Sequence, residues 1–134
     1  SATALVTATL ITWMFGAPRN VVASIAPKSA TTPIAMGISE QIGGLPSLTA
    51  VLVILTGIFG AMFGTAILER VGVRDGDAQG FALGLASHGI GTARALQVSE
   101  VAGAFSALAM GLNGLATSIL APLLVHLLAQ WFWP

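Results

Sequence analysis

Cysteine is missing altogether, and charge very nearly so. The first absence excludes disulfides, thiolate metal sites and a cysteine nucleophile, while leaving the redox compartment open. The second is more telling. Charged residues make up 7% of the chain, whereas a soluble domain carries about 25% to wet its surface. Five basic and five acidic side chains leave no net charge, so electrostatics offers no case for nucleic acid or for an acidic partner. What fills the space is apolar: hydrophobic residues are 55% of the 134, and the mean hydropathy is +0.90. These proportions predict an all-α, polytopic membrane protein in which residues 1–134 form a single transmembrane domain with the lipid bilayer as its solvent. The chain opens at Ser1 without an initiator methionine or a basic stretch before its first apolar run. That run therefore does not read as a signal peptide, and a processed or partial chain is expected.

The few charges mark out the spans. Between Leu45 and Leu68 there are 24 residues without one, enough at about 1.5 Å per residue to cross a hydrocarbon core of ~30 Å. Residues 46–67 are accordingly expected as one continuous helix. From Val101 to Trp133 there is again no formal charge, and only Asn113-Gly114, Pro122 and His126 interrupt the run. It predicts one long span with a kink or a second short helix after Pro122, ending on Trp131, Phe132 and Trp133 as a headgroup-level aromatic belt. Residues 2–16 are apolar but short.

Two stretches are of another kind. Around 27–34, Pro27, Lys28, Ser29, Thr31, Thr32 and Pro33 break an apolar passage, and around 86–93, with Arg94 just beyond, Ser87, His88, Gly89, Gly91 and Thr92 do the same. Both read as broken helices. Irregular backbone at membrane depth is tolerated only where protein buries it or where it lines a wet cavity. The two are also related by a shift of 60: Ala26 with Ala86, Thr32 with Thr92, Ala35 with Ala95, Ser39-Glu40 with Ser99-Glu100, and Gly43 with Gly103. The expectation is about five transmembrane segments, two of them broken, in a 60-residue internal repeat. Paired interrupted segments of this kind point to a transporter binding site. If both segments cross fully, Arg19 and the Arg70/Arg74 cluster share a side, which the positive-inside rule favours; re-entrant hairpins would separate them.

Each polar residue has two readings. Lys28 is a cation for an anionic solute or a side chain snorkelling to headgroups. Ser29, Thr31, Thr32, Ser87 and Thr92 are oriented donors or back-bond to the preceding turn. His88 is a proton carrier or a hydrogen-bonded structural residue. Arg94 is a planar fork for a carboxylate or a partner of Glu40 or Glu100. Glu40, Glu100 and Asn113 are read as structural polar residues. Gly60-xxx-Gly64 and Gly103-xxx-Ala107-xxx-Gly111 place small residues on one helix face, for close packing. No cofactor or metal site is expected, since Asp75-Gly76-Asp77 lacks the length and ligand count of a calcium loop. No nucleophile, base and orienting group share a recognisable spacing, so the chain is not read as an enzyme.

The runs Ala26-Pro27-Lys28-Ser29-Ala30-Thr31-Thr32-Pro33-Ile34-Ala35-Met36, Ile38-Ser39-Glu40-Gln41-Ile42-Gly43-Gly44, Leu55-Thr56-Gly57-Ile58-Phe59-Gly60-Ala61 and Ala86-Ser87-His88-Gly89-Ile90-Gly91-Thr92-Ala93-Arg94-Ala95 resemble the LrgB family. The resemblance covers about Ile25 to Val125 and looks like the later part of a family member. It implies a polytopic protein acting with a small holin-like LrgA/CidA partner and modulating murein hydrolase activity and autolysis. It also brings in plastid glycolate/glycerate transporters of plants and relatives linked to pyruvate uptake. The expected function is transport of a small carboxylate of that kind, with Lys28, Ser29, Thr31, Thr32, Ser87, His88, Thr92 and Arg94 around it. The alternative is a holin- or antiholin-like component that modulates murein hydrolases. A homo-oligomer in a bacterial inner membrane, rather than a plastid envelope, is the expected setting.

Overall fold

A computed structural model describes residues 2–132 of the chain, without the side chains of residues 128, 129, 131 and 132. The expected aromatic belt rests on the side chains of Trp131 and Phe132 and on Trp133, which lie outside what is described. The described residues form six helices and no strand: α1 (Ala2–Met14), α2 (Arg19–Ile25), α3 (Thr32–Gln41), α4 (Pro46–Arg70), α5 (Gly76–Val98) and α6 (Glu100–Phe132). Proline sets two of the starts. Pro33 and Pro46 stand in the first turns of α3 and α4, where a missing N–H leaves nothing unsatisfied. Gly43 (φ +80°) and Gly72 (φ +89°) turn the chain away from the ends of α3 and α4 in the left-handed region open to glycine.

α4 and α6 are long and apolar enough to cross a membrane, and they bury the wrong face for a soluble protein. On α6 the buried stripe is Ala102, Ser106, Ala109, Asn113, Thr117 and Ala121, while Phe105, Leu108, Leu112, Leu115 and Ile119 point outward. α4 hides Thr49, Val53 and Gly57 and exposes Ile54, Leu55, Ile58, Phe59 and Met62. Large apolar side chains outside and small or polar ones inside suit helices that face lipid and approach one another closely. This is a membrane protein. The expected continuous helix over 46–67 is present within α4, and α6 runs unbroken through Pro122.

The remaining helices fold as two hairpins. α2 and α3, seven and ten residues long, are joined by a turn over 26–31. Pro27 cannot donate the next helical hydrogen bond, so α2 stops there. Arg19, at the start of α2, lines one crevice with Gln41 and Gly43, at the end of α3, so both ends of the hairpin lie together. α3 then runs antiparallel to α4. The Thr49 hydroxyl donates to the Ser24 carbonyl (2.9 Å) and lies 2.7 Å from the Ser39 hydroxyl, while Ala30 and Ala35 pack on Val53.

α5 is a second hairpin, folded back on itself at His88 (φ 43°, ψ −132°). A Cβ on Gly91 would stand 2.6 Å from the Leu83 carbonyl oxygen, and one on Gly76 would stand 3.9 Å from the Ser99 hydroxyl. A continuous helix would hold both pairs far apart. The first arm packs antiparallel to α4, with Gly57, Gly60 and Gly64 facing His88, Ser87 and Leu83. It packs parallel to α6, with Gly80 and Gly84 against the backbones of Ala102 and Ser106; the second arm returns antiparallel to α6 through Thr92 with Ser106 and Leu96 with Gly103.

Three expectations need correction. Arg19 lies at one end of the bundle and Arg70 and Arg74 at the other, because the first broken segment turns back rather than crossing and α4 then runs the full length. The stretch 86–93 is helical except at His88, since tertiary contacts rather than a breaker run make the reversal. Of the second small-residue motif only Gly103 is buried; Ala107 and Gly111 face outward. Gly60 and Gly64 do meet a neighbouring helix.

Candidate functional site

The two hairpin tips reach the same depth. Val53 and Gly57, seven and eleven residues into α4, sit about 10 and 17 Å from its start, and Met110, ten residues into α6, sits about 15 Å from its own. All three lie between a third and somewhat over half of the way across a ~30 Å hydrocarbon core. The first tip meets α6 at Asn113, whose Nδ2 donates to the Ser29 carbonyl (2.7 Å); Gly89 beside the second tip lies against Met110, about one helical turn away.

At the second tip the His88 Nε2–H donates to the Val53 carbonyl (2.9 Å), which fixes the ring and its proton. The His88 carbonyl accepts from the Thr92 hydroxyl (2.9 Å), which also lies 2.9 Å from the Ser106 hydroxyl. This small net holds a non-glycine residue at positive φ, a backbone state that costs about 1–3 kcal/mol. Val53 joins the tips: its side chain packs on Ala30 and Ala35 of the first hairpin, and its carbonyl receives His88 of the second.

Three polar side-chain atoms here are buried without a partner in the fold: the Ser87 and Thr117 hydroxyls and Asn113 Oδ1. Leaving such a group without a partner costs about 1–3 kcal/mol; Ser87 faces Gly60 of α4, and Asn113 and Thr117 stand on the buried stripe of α6. The Asn113 amide is oriented by its bond to Ser29, so its oxygen is available only to a donor.

The structure brings together Lys28, Ser29 and Asn113 at one tip and Ser87, His88 and Thr92 at the other. Ser29, Ser87, His88 and Thr92 are buried, and Lys28, Thr31 and Thr32 are half-buried. Thr31 precedes α3 without a side-chain capping bond. Arg94 is not part of the group. It is exposed and donates to Gln97 Oε1 (3.0 Å). Glu40 and Glu100 are exposed, and among the described residues no ion pair joins either to Lys28 or Arg94. Ser99, beside Glu100, caps α6 by accepting from the Ala102 N–H (3.0 Å). Sequence reasoning passed over Val53, Ser106 and Thr117. The recurrence of small and polar residues every three or four positions along α6 could have found the last two; a backbone carbonyl carries no such mark. Among the described residues there is no group of three or more acidic or histidine side chains able to hold a metal ion.

A helical membrane protein in which two hairpin tips, each carrying polar side chains, are bridged by Val53 is the class that fold and site define. The LrgB-like family model matches residues 1–127, and the chain belongs to that family. It is 37% identical over 125 residues to an uncharacterized protein of Haemophilus influenzae, covering 93% of this chain and 54% of that one. It is 38% identical over 125 residues to the uncharacterized protein YwbG of Bacillus subtilis, covering 93% and 56%. Against the holin-like protein CidB of Staphylococcus epidermidis the identity is 33% over 114 residues, covering 85% and 50%. The chain thus spans about half the length of the curated relatives it matches. No solved structure matches it.

Proposed function

We propose that this chain is part of a holin-like membrane component that governs passage across a bacterial cytoplasmic membrane and, through it, murein hydrolase activity and autolysis. The observation that carries the reading is membership of the LrgB-like family together with relatives bearing the name holin-like protein CidB. The outward apolar faces of α4 and α6 supply surfaces for assembly, with further copies and with a small LrgA/CidA-like membrane protein. The reading requires no enzymatic step and no cofactor. The test uses the full-length protein restored to a strain lacking it, with autolysis rate, murein hydrolase zymography and leakage of a small encapsulated dye as readouts. Unchanged autolysis and no leakage would defeat it.

A second reading, secondary transport of a small carboxylate such as glycolate, glycerate or pyruvate, is favoured by one observation. In this reading α1, the first hairpin, α4, the second hairpin and α6 are five membrane-embedded segments, of which the last four divide into two units of hairpin plus crossing helix, entering from opposite ends. Asn113 holds the first tip and Val53 holds the second, and these residues stand 60 apart. Such exchange supports an inverted 60-residue repeat, a frequent basis of alternating access around a midplane site. In this reading Lys28, Ser29, Thr31, Thr32, Ser87, His88 and Thr92 face the solute, and Arg94 contributes from outside. Saturable counter-flow of labelled carboxylate in liposomes separates it from the first reading, which predicts non-saturable release.

A further inference from the structure

We propose that a crevice away from the hairpin tips, at the end of the bundle where α2 begins, binds a phosphate-class anion at the depth of the lipid headgroups. The crevice has a volume of about 630 Å³ and is lined by Arg19, Gln41, Gly43, Pro122 and His126 among others. Its depth follows from α6. Pro122 and His126 lie 22 and 26 residues beyond Glu100, about 33 and 39 Å along the axis, just past a ~30 Å hydrocarbon core.

The chemistry of the lining is one-sided. Arg19 is exposed and forms no hydrogen bond or ion pair among the described residues, and no carboxylate lines the crevice, Glu40 included. His126 Nε2 lies 3.1 Å from Gln130 Nε2, so the imidazole is held at the rim of the crevice. The Arg19 guanidinium is thus the one formal charge among the crevice's lining residues, with the Gln41 amide and the His126 ring beside it. A planar guanidinium matches phosphate oxygens two at a time, and basic pockets between helices at this level suit anionic headgroups. The apolar part of the crevice, Ile42 and Leu123, would meet the first acyl carbons of a lipid.

One ligand chemistry has two sources here, a lipid phosphodiester and free phosphate. The test is thermal unfolding of the full-length protein in detergent with phosphatidylglycerol, with phosphatidylcholine, and with inorganic phosphate. Phosphatidylglycerol should raise Tm by several degrees over phosphatidylcholine, and Arg19→Gln should remove that increment while keeping the Tm measured in phosphatidylcholine. Arg74→Gln, at the other end, should keep the increment. If Arg19→Gln folds poorly, His126→Leu should reduce the increment by at least half. A comparable rise with millimolar phosphate assigns the site to a free anion; a rise with phosphatidylglycerol alone assigns it to lipid. No preference for the anionic lipid or phosphate, or an increment that survives in both Arg19→Gln and His126→Leu, overturns the proposal.

Discussion

Replacing Gly84 with alanine adds one methyl group where the first arm of α5 lies directly against the backbone of α6. The new Cβ would press on the carbonyl oxygen of Ser106 and stand 2.8 Å from its carbonyl carbon and 2.9 Å from its Cα. Carbon atoms rest at about 3.5–4.0 Å, so the first arm of α5 and α6 must part by roughly 1 Å. The obstacle is backbone and cannot rotate away. Overpacking of this kind costs about 1–3 kcal/mol, and the gap it opens weakens contacts up to Gly80 and Ala102 and stretches the link between Ser106 and Thr92. Against it stands the gain of up to ~1 kcal/mol from exchanging glycine for alanine inside a helix. Gly111→Ala is the control: a Cβ there meets nothing within 4 Å, so only the gain remains. For Gly84→Ala the net is a loss of up to about 2 kcal/mol, and at about 2–4 °C per kcal/mol for a chain of 150–250 residues it should lower Tm of the full-length protein in detergent by up to roughly 8 °C. Gly111→Ala should leave Tm level or raise it. A Gly84→Ala protein as stable as Gly111→Ala would refute the packing described between α5 and α6.

Asn113→Leu strands the Ser29 carbonyl and should destabilise by about 1–3 kcal/mol, seen in thermal unfolding; an unchanged Tm would mean the bond contributes nothing. Thr117→Val removes a buried hydroxyl that has no partner in the fold and should leave Tm level or higher, so a clear loss would reveal a bonded hydroxyl. His88→Ala should be less stable than His88→Gly, since both lose the bond to Val53 but only alanine keeps a strained positive φ; equal Tm values would argue against that backbone. On the transport reading, Lys28→Gln should abolish saturable carboxylate counter-flow while Arg94→Gln, whose arginine reaches only Gln97 on the surface, should lower it by less than about threefold, within the ~0.7 kcal/mol typical of an exposed contact. Equal loss in both would return Arg94 to the site.

α4 was legible because a charge-free run of sufficient length has one physical meaning. The break at Pro27 was legible for the same kind of reason, since proline removes a donor wherever it stands. His88 was flagged by its glycine neighbours, but the reversal there depends on a carbonyl 35 residues earlier and on Gly91 letting the two arms touch. No local pattern records that. Arg94 misled because a charged residue within a motif looks internal, and only the turn of the second arm carries it to the surface. The positive-inside argument erred through the same omission, taking a segment that turns back for one that crosses.

The hairpins also bear on how the protein is made. Their arms run from seven to about twelve residues, short of the ~20 that a bilayer-spanning helix needs, so apolar length alone cannot hold them at membrane depth. α4 and α6 can be inserted on their own hydropathy. The tips must then sink between helices already in place, where Asn113 of α6 meets the Ser29 carbonyl and the Val53 carbonyl of α4 meets the His88 ring. Biosynthesis therefore ends with the interior being closed last, and the surface against lipid is settled before the polar centre exists.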